Sequence, residues 1–213
     1  MPEQEEEKAP VRVTPLLELP PLGIHQETAW LDQVFLRQWQ TSRLYLCSGY
    51  LNLRKTLQSA LSAQTGALHF MCAHPTANGF FGARGASKWI PDIYRRYTAH
   101  IRAAFPQSQI LEWQKPGWTF HGKGMWLYDA DNKPCVMSIG SSNFNPRSTK
   151  RDLEFGVLVE MDASQPGVRP LQEAVDANRR VLFAGGENFA PPKMPFWKTA
   201  GLDVLSRLVK SYF

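Results

Sequence analysis

Apolar positions follow two spacings along this chain. In LRKTLQSALSA, Leu53, Leu57 and Leu61 stand four apart, which predicts a helix. Short unbroken apolar runs flank it, SRLYLCSGYLNL before and ALHFMCAH after, and these predict buried strands. From Glu27, ETAWLDQVFLRQWQ places Trp30, Val34, Phe35 and Trp39 near helical spacing. PTANGFFGARGASK reads as a loop carrying Gly79, Gly82 and Gly85. SKWIPDIYRRYTAHIRAAF reads as a helix with Pro91 in its first turn and Tyr94, Tyr97 and Ile101 on one face. QILEWQ, TFHGKGMWLY, CVMSIGSS and LEFGVLVEM are four more strand candidates, the last three joined by short connections. A helix near Val168–Leu182, a Pro-rich break (APPKMPFW) and an amphipathic helix, TAGLDVLSRLVKSYF, follow.

Helices and strands alternate first and strands cluster later, so the class is α/β with a mixed sheet flanked by helices. No internal repeat is present. Residues 1–22 read as an acidic, Pro-rich disordered arm, 23–192 as the body, and 193–213 as a C-terminal amphipathic helix.

Composition changes this picture in two places. The chain has 213 residues and a formal charge of +5, but MPEQEEEK carries four glutamates against one lysine, so the remainder carries +8. A basic body suits a polyanion: nucleic acid, anionic lipid headgroups or a nucleotide diphosphate; ordinary surface lysines account for it equally well. Cys47, Cys72 and Cys135 sit in apolar runs without metal-ligand spacing and read as buried reduced thiols. No apolar run has the length of a membrane span, and the acidic N-terminus is expected to be neither a secretory signal nor a mitochondrial presequence.

The chemistry concentrates in TFHGKGMWLYDADNKPCVMSIGSSNF. On a strand, Thr119, His121, Lys123 and Met125 point one way and Phe120, Trp126 and Tyr128 the other. Gly122 and Gly124 leave room for a close neighbour. A lysine so placed calls for an anion. The next strand ends in Gly140, Ser141, Ser142 and Asn143, whose hydroxyl, amide and backbone donors suit phosphate oxygens. His121 suits attack on phosphorus or proton transfer, with Lys123 and Asn143 holding the oxygens. His-x-Lys alone fits a core histidine beside a solvent-reaching lysine just as well; the joint pattern is more specific.

That pattern, His121-Gly122-Lys123 followed by Gly140-Ser141-Ser142-Asn143, resembles the signature of the phospholipase D superfamily. Glu154 in RDLEFGVLV stands where these proteins carry an acidic residue on the following strand. The aspartate usual five residues after the lysine is absent: Tyr128 stands there, with Asp129 one place later. SGYLNL, ANGFFGARG, GWTFHGKGMWLY, IGSSNFNPRSTKRDLE and the FW…VLSRLVKSYF tail are similar to the C-terminal half of eukaryotic mitochondrial phosphatidylglycerophosphate synthases.

The resemblance implies a phospholipase D-like half-domain over 23–192 with one of two HKD-type motifs. It also implies phosphatidyl transfer from CDP-diacylglycerol to glycerol 3-phosphate, with release of CMP and without metal or other cofactor. His121 would be the general acid/base, Lys123 and Asn143 would bind phosphoryl oxygens, and Glu154 would orient a histidine of the opposite half. The missing half would come from a longer polypeptide or a second copy, at the mitochondrial inner-membrane surface.

Other candidates keep two readings. Arg84 clamps a phosphate or is a solvated loop arginine; Arg147, Lys150 and Arg151 line an anion entrance or form a solvated charge run. Tyr50 and Asn52 end a strand near the site or merely form a turn. The tail's Leu202, Leu205, Leu208 and Val209, with Trp197 and Phe213 and flanked by Lys198, Arg207 and Lys210, rest on an anionic membrane or pack on the domain. Rival functions are a dimeric phosphodiesterase or nuclease, and an inactive half that binds a partner; the aromatic loops and missing aspartate argue against nucleic acid.

Overall fold

The computed structural model describes residues 9–36, 42–191 and 195–209. Within them lie the strands β1 (Val11–Leu19), β2 (Ile24–His25), β3 (Arg43–Cys47), β4 (Ala67–Ala73), β5 (Gln109–Trp113), β6 (Gly124–Tyr128), β7 (Pro134–Gly140), β8 (Glu154–Met161) and β9 (Gly186–Asn188). They form one mixed sheet in the order β2-β1-β8-β7-β6-β3-β4-β5-β9. β3, β4 and β5 are parallel; β6, β7 and β8 form an antiparallel meander beside them. The helices are α1 (Gln26–Leu36), α2 (Lys55–Ser62), α3 (Ile90–Ala104), α4 (Arg169–Ala184) and α5 (Phe196–Val209).

The central strands read as continuous apolar runs because both of their faces are covered. Leu44 and Leu46 of β3 pack with Leu31, Leu57, Leu61 and Ile101 of α1, α2 and α3. Tyr45 and Cys47, pointing the other way, pack with Val175 and Phe183 of α4. The three cysteines are buried and free, and burial pushes each thiol up to about 12.

Connectivity decides where chemistry can occur. From β3 the chain moves through α2 to β4 and β5, then returns to place β6 on the other side of β3. In open α/β sheets ligands bind outside the strand ends at such a switch point. The carboxyl ends of β3, β4, β5 and β7 and the amino ends of β6 and β8 share this edge.

Two sequence expectations change, and a third reading, left open for the tail helix, gains a described contact. Residues 11–19 are not part of a loose arm: β1 pairs with β8 from Val11↔Met161 to Glu18↔Glu154. Pro15 disguised the strand, but β2 covers only Glu18 and Leu19, and an open edge tolerates proline. The strand expected from Thr119 begins at Gly124, so His121 and Lys123 lie in its irregular lead-in, tied down where the Phe120 N–H donates to Ala77 O at 2.9 Å. The last helix packs on α3: Leu202 is buried beside Tyr94 and Tyr97, and Arg96 pairs with Asp203 at 2.6 Å. Trp39 and residues 1–8 and 210–213 lie outside the described residues, as do the side chains of Trp197, Lys198, Arg207, Leu208 and Val209.

Truncating residues 1–22 should therefore remove a sheet strand. Losing the Leu16 burial and the β1–β8 ladder should cost at least about 3 kcal/mol, lowering the thermal midpoint by roughly 6–12 °C. An unchanged midpoint in calorimetry would contradict the strand assignment.

Candidate active site

At the shared edge, Cys47 stands opposite Gly124, Gly124 opposite Ile139, and Gly140 opposite Gly156. The glycines are required by close approach. A Cβ on Gly140 would lie 2.6 Å from Phe155 O, and one on Gly124 2.9 Å from the Trp126 ring. The ring thus occupies the room the sequence left beside Gly124. Ser48 and Lys123 stand one residue beyond Cys47 and Gly124, and Ser141 one residue beyond Gly140.

His121 is exposed and Lys123 half-buried, and the ammonium Nζ donates to His121 O at 3.1 Å. Burial holds the His121 imidazole below its ordinary pKa; the Lys123 charge pushes it the same way, and Glu154 opposes both. Burial also lowers Lys123, against the pull of Glu154 and Cys47. His121 and Lys123 are thus both within electrostatic reach of Glu154, and burial together with Lys123 favours the neutral form of the imidazole.

Asn143 arrives from the turn between β7 and β8. Its Oδ1 lies 3.3 Å from Ser48 Oγ at the end of β3, which leaves the carboxamide N–H₂ as the donor for a ligand. Its backbone N–H donates to Ser148 Oγ at 3.3 Å, and Ser148 Oγ donates to Glu154 at 2.8 Å. Glu154 also accepts from Ser141 Oγ. Phe144 then turns the chain with φ +56°, uncommon for a bulky residue, while its ring is buried in the core.

The serines differ from their sequence reading. Ser141 Oγ is occupied by Glu154, and buried Ser142 accepts from Phe144 N–H at 3.1 Å. Both hydroxyls shape the turn, so neither is directed at a phosphate. Arg147 pairs with Asp152 at 2.9 Å, and its carbonyl accepts from three following amides. Arg84 is exposed at the start of a 3-10 turn, and no hydrogen bond brings it to the site. Lys150 and Arg151 are exposed. Tyr50 stacks on Tyr94 at 3.7 Å, a structural use, and Asn52 is buried.

The residues that sequence reading missed lie behind the turn. Glu18 of β1 is fully buried and accepts from Thr28 N–H at 2.9 Å, capping α1, with His25 Nδ1 at 2.6 Å. Glu27, in the first turn of α1, is 4% exposed. Burial pushes its carboxyl up to about 7; Glu18 and Glu154 push the same way, while Ser142 and Arg54 oppose. A first-turn glutamate is common on any helix, so nothing in the sequence marked it. Among the described residues no group of side chains has the makings of a metal site.

Tyr128 explains the missing aspartate. Five residues beyond Lys123, it lies at the far end of β6, about 17 Å away by strand rise. There its hydroxyl donates to Asp176 at 2.6 Å and accepts from Arg179 at 3.1 Å, fastening α4 to the sheet.

No family model matches the chain. It is 32% identical over 210 residues to the mitochondrial CDP-diacylglycerol–glycerol-3-phosphate 3-phosphatidyltransferase of Gallus gallus, covering 94% of this chain and 37% of that protein. The Homo sapiens protein of the same name is 29% identical over the same coverage. The chain thus spans little more than a third of the curated relatives it matches, a span that fits the expected C-terminal half. Among solved structures, phosphatidylserine synthase of Haemophilus influenzae superposes with a TM-score of 0.76 at 20% identity, over 95% of this chain and 48% of that one. Nuc of Salmonella typhimurium, a phospholipase D family member, superposes at 0.52 with 12% identity, over 84% of this chain and 98% of that one. The fold is the one these two structures share.

Because the folded carboxyl of Glu27 titrates higher than the unfolded one, the folded state holds an extra proton between pH 4.5 and about 7. Its stabilising share is present at low pH and lost as pH rises through that window. Glu27→Gln should gain stability relative to the parent as pH rises, by up to about 3 kcal/mol above pH 7. Denaturant unfolding at pH 5 and pH 8 checks this; an equal effect at both would refute it.

Proposed function

We propose that this chain, carrying the phospholipase D fold, is one catalytic half of an enzyme that transfers a phosphatidyl group from CDP-diacylglycerol to glycerol 3-phosphate. The products would be phosphatidylglycerophosphate and CMP, on the way to phosphatidylglycerol and cardiolipin. The observation that carries this reading is the half-site itself: one imidazole, one ammonium and one carboxamide gathered at an open sheet edge, with Glu154 beside them. Similarity to phosphatidyltransferases over nearly the whole chain supports the substrate pair.

In the first step a histidine nitrogen bonds to the lipid phosphorus as the P–O bond to CMP breaks. In the second, the glycerol 3-phosphate hydroxyl displaces that histidine and gives its proton to a base. CMP departs as a phosphate monoester with a second pKa of about 6, so near neutral pH it requires little protonation. A histidine held neutral beside Lys123 is suited to receive the hydroxyl proton, while the other half supplies the nucleophile. Lys123 and the Asn143 carboxamide stabilise the charge on the non-bridging oxygens.

A lipid substrate also requires approach to a bilayer. Phe81 and Trp118, 62% and 58% exposed, border one groove of about 700 Å³ formed by the loops after β4 and β5, on the edge that carries the site. Lys115 Nζ sits 4.3 Å from the Trp118 ring centroid. Exposed aromatics with adjacent cations suit an anionic interface at the mitochondrial inner membrane. They fit it better than α5, whose Leu202 and Ser206 are buried.

Two measurements follow from this reading. The chain alone should turn over CDP-diacylglycerol at a negligible rate, and a polypeptide carrying the other His-x-Lys half should restore it. His121→Ala should then lower the restored kcat by about 10²–10⁴-fold. Substantial turnover by the monomeric chain would refute the two-half reading. Separately, Phe81→Ala with Trp118→Ala should weaken partition onto anionic vesicles by about tenfold or more, whereas Val204→Glu on exposed α5 should leave it unchanged. The reverse pattern would return the membrane contact to the tail helix.

A further inference from the structure

We propose that Ser48, the residue that follows β3, is a positioning residue of this site: its hydroxyl holds the Asn143 carboxamide by the oxygen and so turns the N–H₂ toward the substrate. The phosphoryl substrate rests on the function proposed above; the tie between β3 and the turn does not.

Ser48 is fully buried, and the parallel ladder fixes its backbone. Its N–H donates to Met71 O at 3.0 Å, and the next rung runs from Ala73 N–H to Gly49 O at 3.4 Å. Neither bond uses the side chain, so an alanine would extend the sheet equally well. The hydroxyl is engaged elsewhere. Its oxygen accepts from Tyr50 N–H at 3.3 Å, which leaves the proton for the other side. Three oxygens converge there: Tyr50 O at 2.9 Å, Asn143 O at 3.1 Å and Asn143 Oδ1 at 3.3 Å. Two of the three belong to Asn143, a residue 95 positions away.

Asn143 is thus held at both ends of its backbone, by Ser148 at the N–H and by Ser48 at the carbonyl. A second bond joins the same two segments: Arg54 N–H, at the end of the loop after β3, donates to Phe144 O at 3.0 Å. What these backbone bonds do not fix is rotation of the Asn143 side chain, and Ser48 meets that too. The two ends of a carboxamide are nearly equal in size and opposite in polarity, so packing does not tell them apart. Gly49 lies beside the oxygen, and a Cβ built there would stand 3.4 Å from Oδ1. Turned over, the group would offer its carbonyl oxygen to a phosphoryl oxygen, and two acceptors repel.

Ser48→Ala removes one heavy atom and leaves both ladder bonds. By NMR on the full chain, it should lower the order parameter of the Asn143 side-chain amide from the rigid range to below about 0.6. The Asn145 side chain, whose Oδ1 accepts from Ser148 N–H at 2.8 Å, should keep its order, as should the Leu46 and Phe70 amides of the central strands. Ser48→Cys, similar in size but a weak donor, should loosen Asn143 as alanine does. In the two-half enzyme, Ser48→Ala should lower kcat by about tenfold. In an Asn143→Ala background the same change should cost less than about twofold, because Ser48 acts through Asn143. An Asn143 side chain equally ordered in Ser48→Ala, full order in Ser48→Cys, or an undiminished loss of kcat without Asn143 would overturn the proposal. If the side chain loosens as expected while the parent transfers no phosphatidyl group, the positioning role stands and the assigned reaction falls.

Discussion

Glu154 is the tie on which the site depends. One carboxylate accepts from Ser141, at the start of the β7–β8 turn, and from Ser148, farther along it. Ser148 in turn receives the Asn143 amide, so the Asn143 carboxamide is fixed by its backbone. The same carboxylate offsets the positive field of Lys123 and opposes the lowering of the His121 pKa. A buried polar network of this kind orders its members only while every one is satisfied. Here a single acidic residue completes the turn and balances the cations.

The electrostatics favour an anion entering from the open edge. Lys123 is half-desolvated, and its ammonium is turned toward a backbone carbonyl within its own segment. A phosphoryl oxygen is a better partner than that carbonyl, because it carries charge. His121 is kept neutral and exposed, able to reach a group presented from outside. Exposed Ile139, Leu153 and Phe155 adjoin the same edge, leaving apolar surface beside the cations.

Neutral histidine, glycine row and aromatic rim share one cause in the topology. The chain switches direction across the sheet between β5 and β6, and the loops that follow β3, β4, β5 and β7 leave from the same edge. The opposite edge received a different solution. Tyr128, Asp176 and Arg179 form a clamp between sheet and α4, and Arg179 also lies 4.3 Å over the Tyr45 ring. A departure from the superfamily pattern at Tyr128 is therefore a change in how a helix is attached, about 17 Å from the chemistry.

The α/β class, the helix over Lys55–Ser62, Pro91 in the first turn of α3 and the β6–β8 meander were legible because each rests on local periodicity and turn chemistry. His121, Lys123, Asn143 and Glu154 were legible as a spaced pattern of residue types. Tertiary structure alone decided that Val11–Leu19 is a strand, since a proline-bearing segment becomes one only when β8 offers it an edge. It alone turned Ser141 and Ser142 inward and set Glu18 and Glu27 behind Asn143. The β1–β8 pairing joins residues more than a hundred positions apart, and no spacing along a chain encodes which buried carboxyl a hydroxyl will meet.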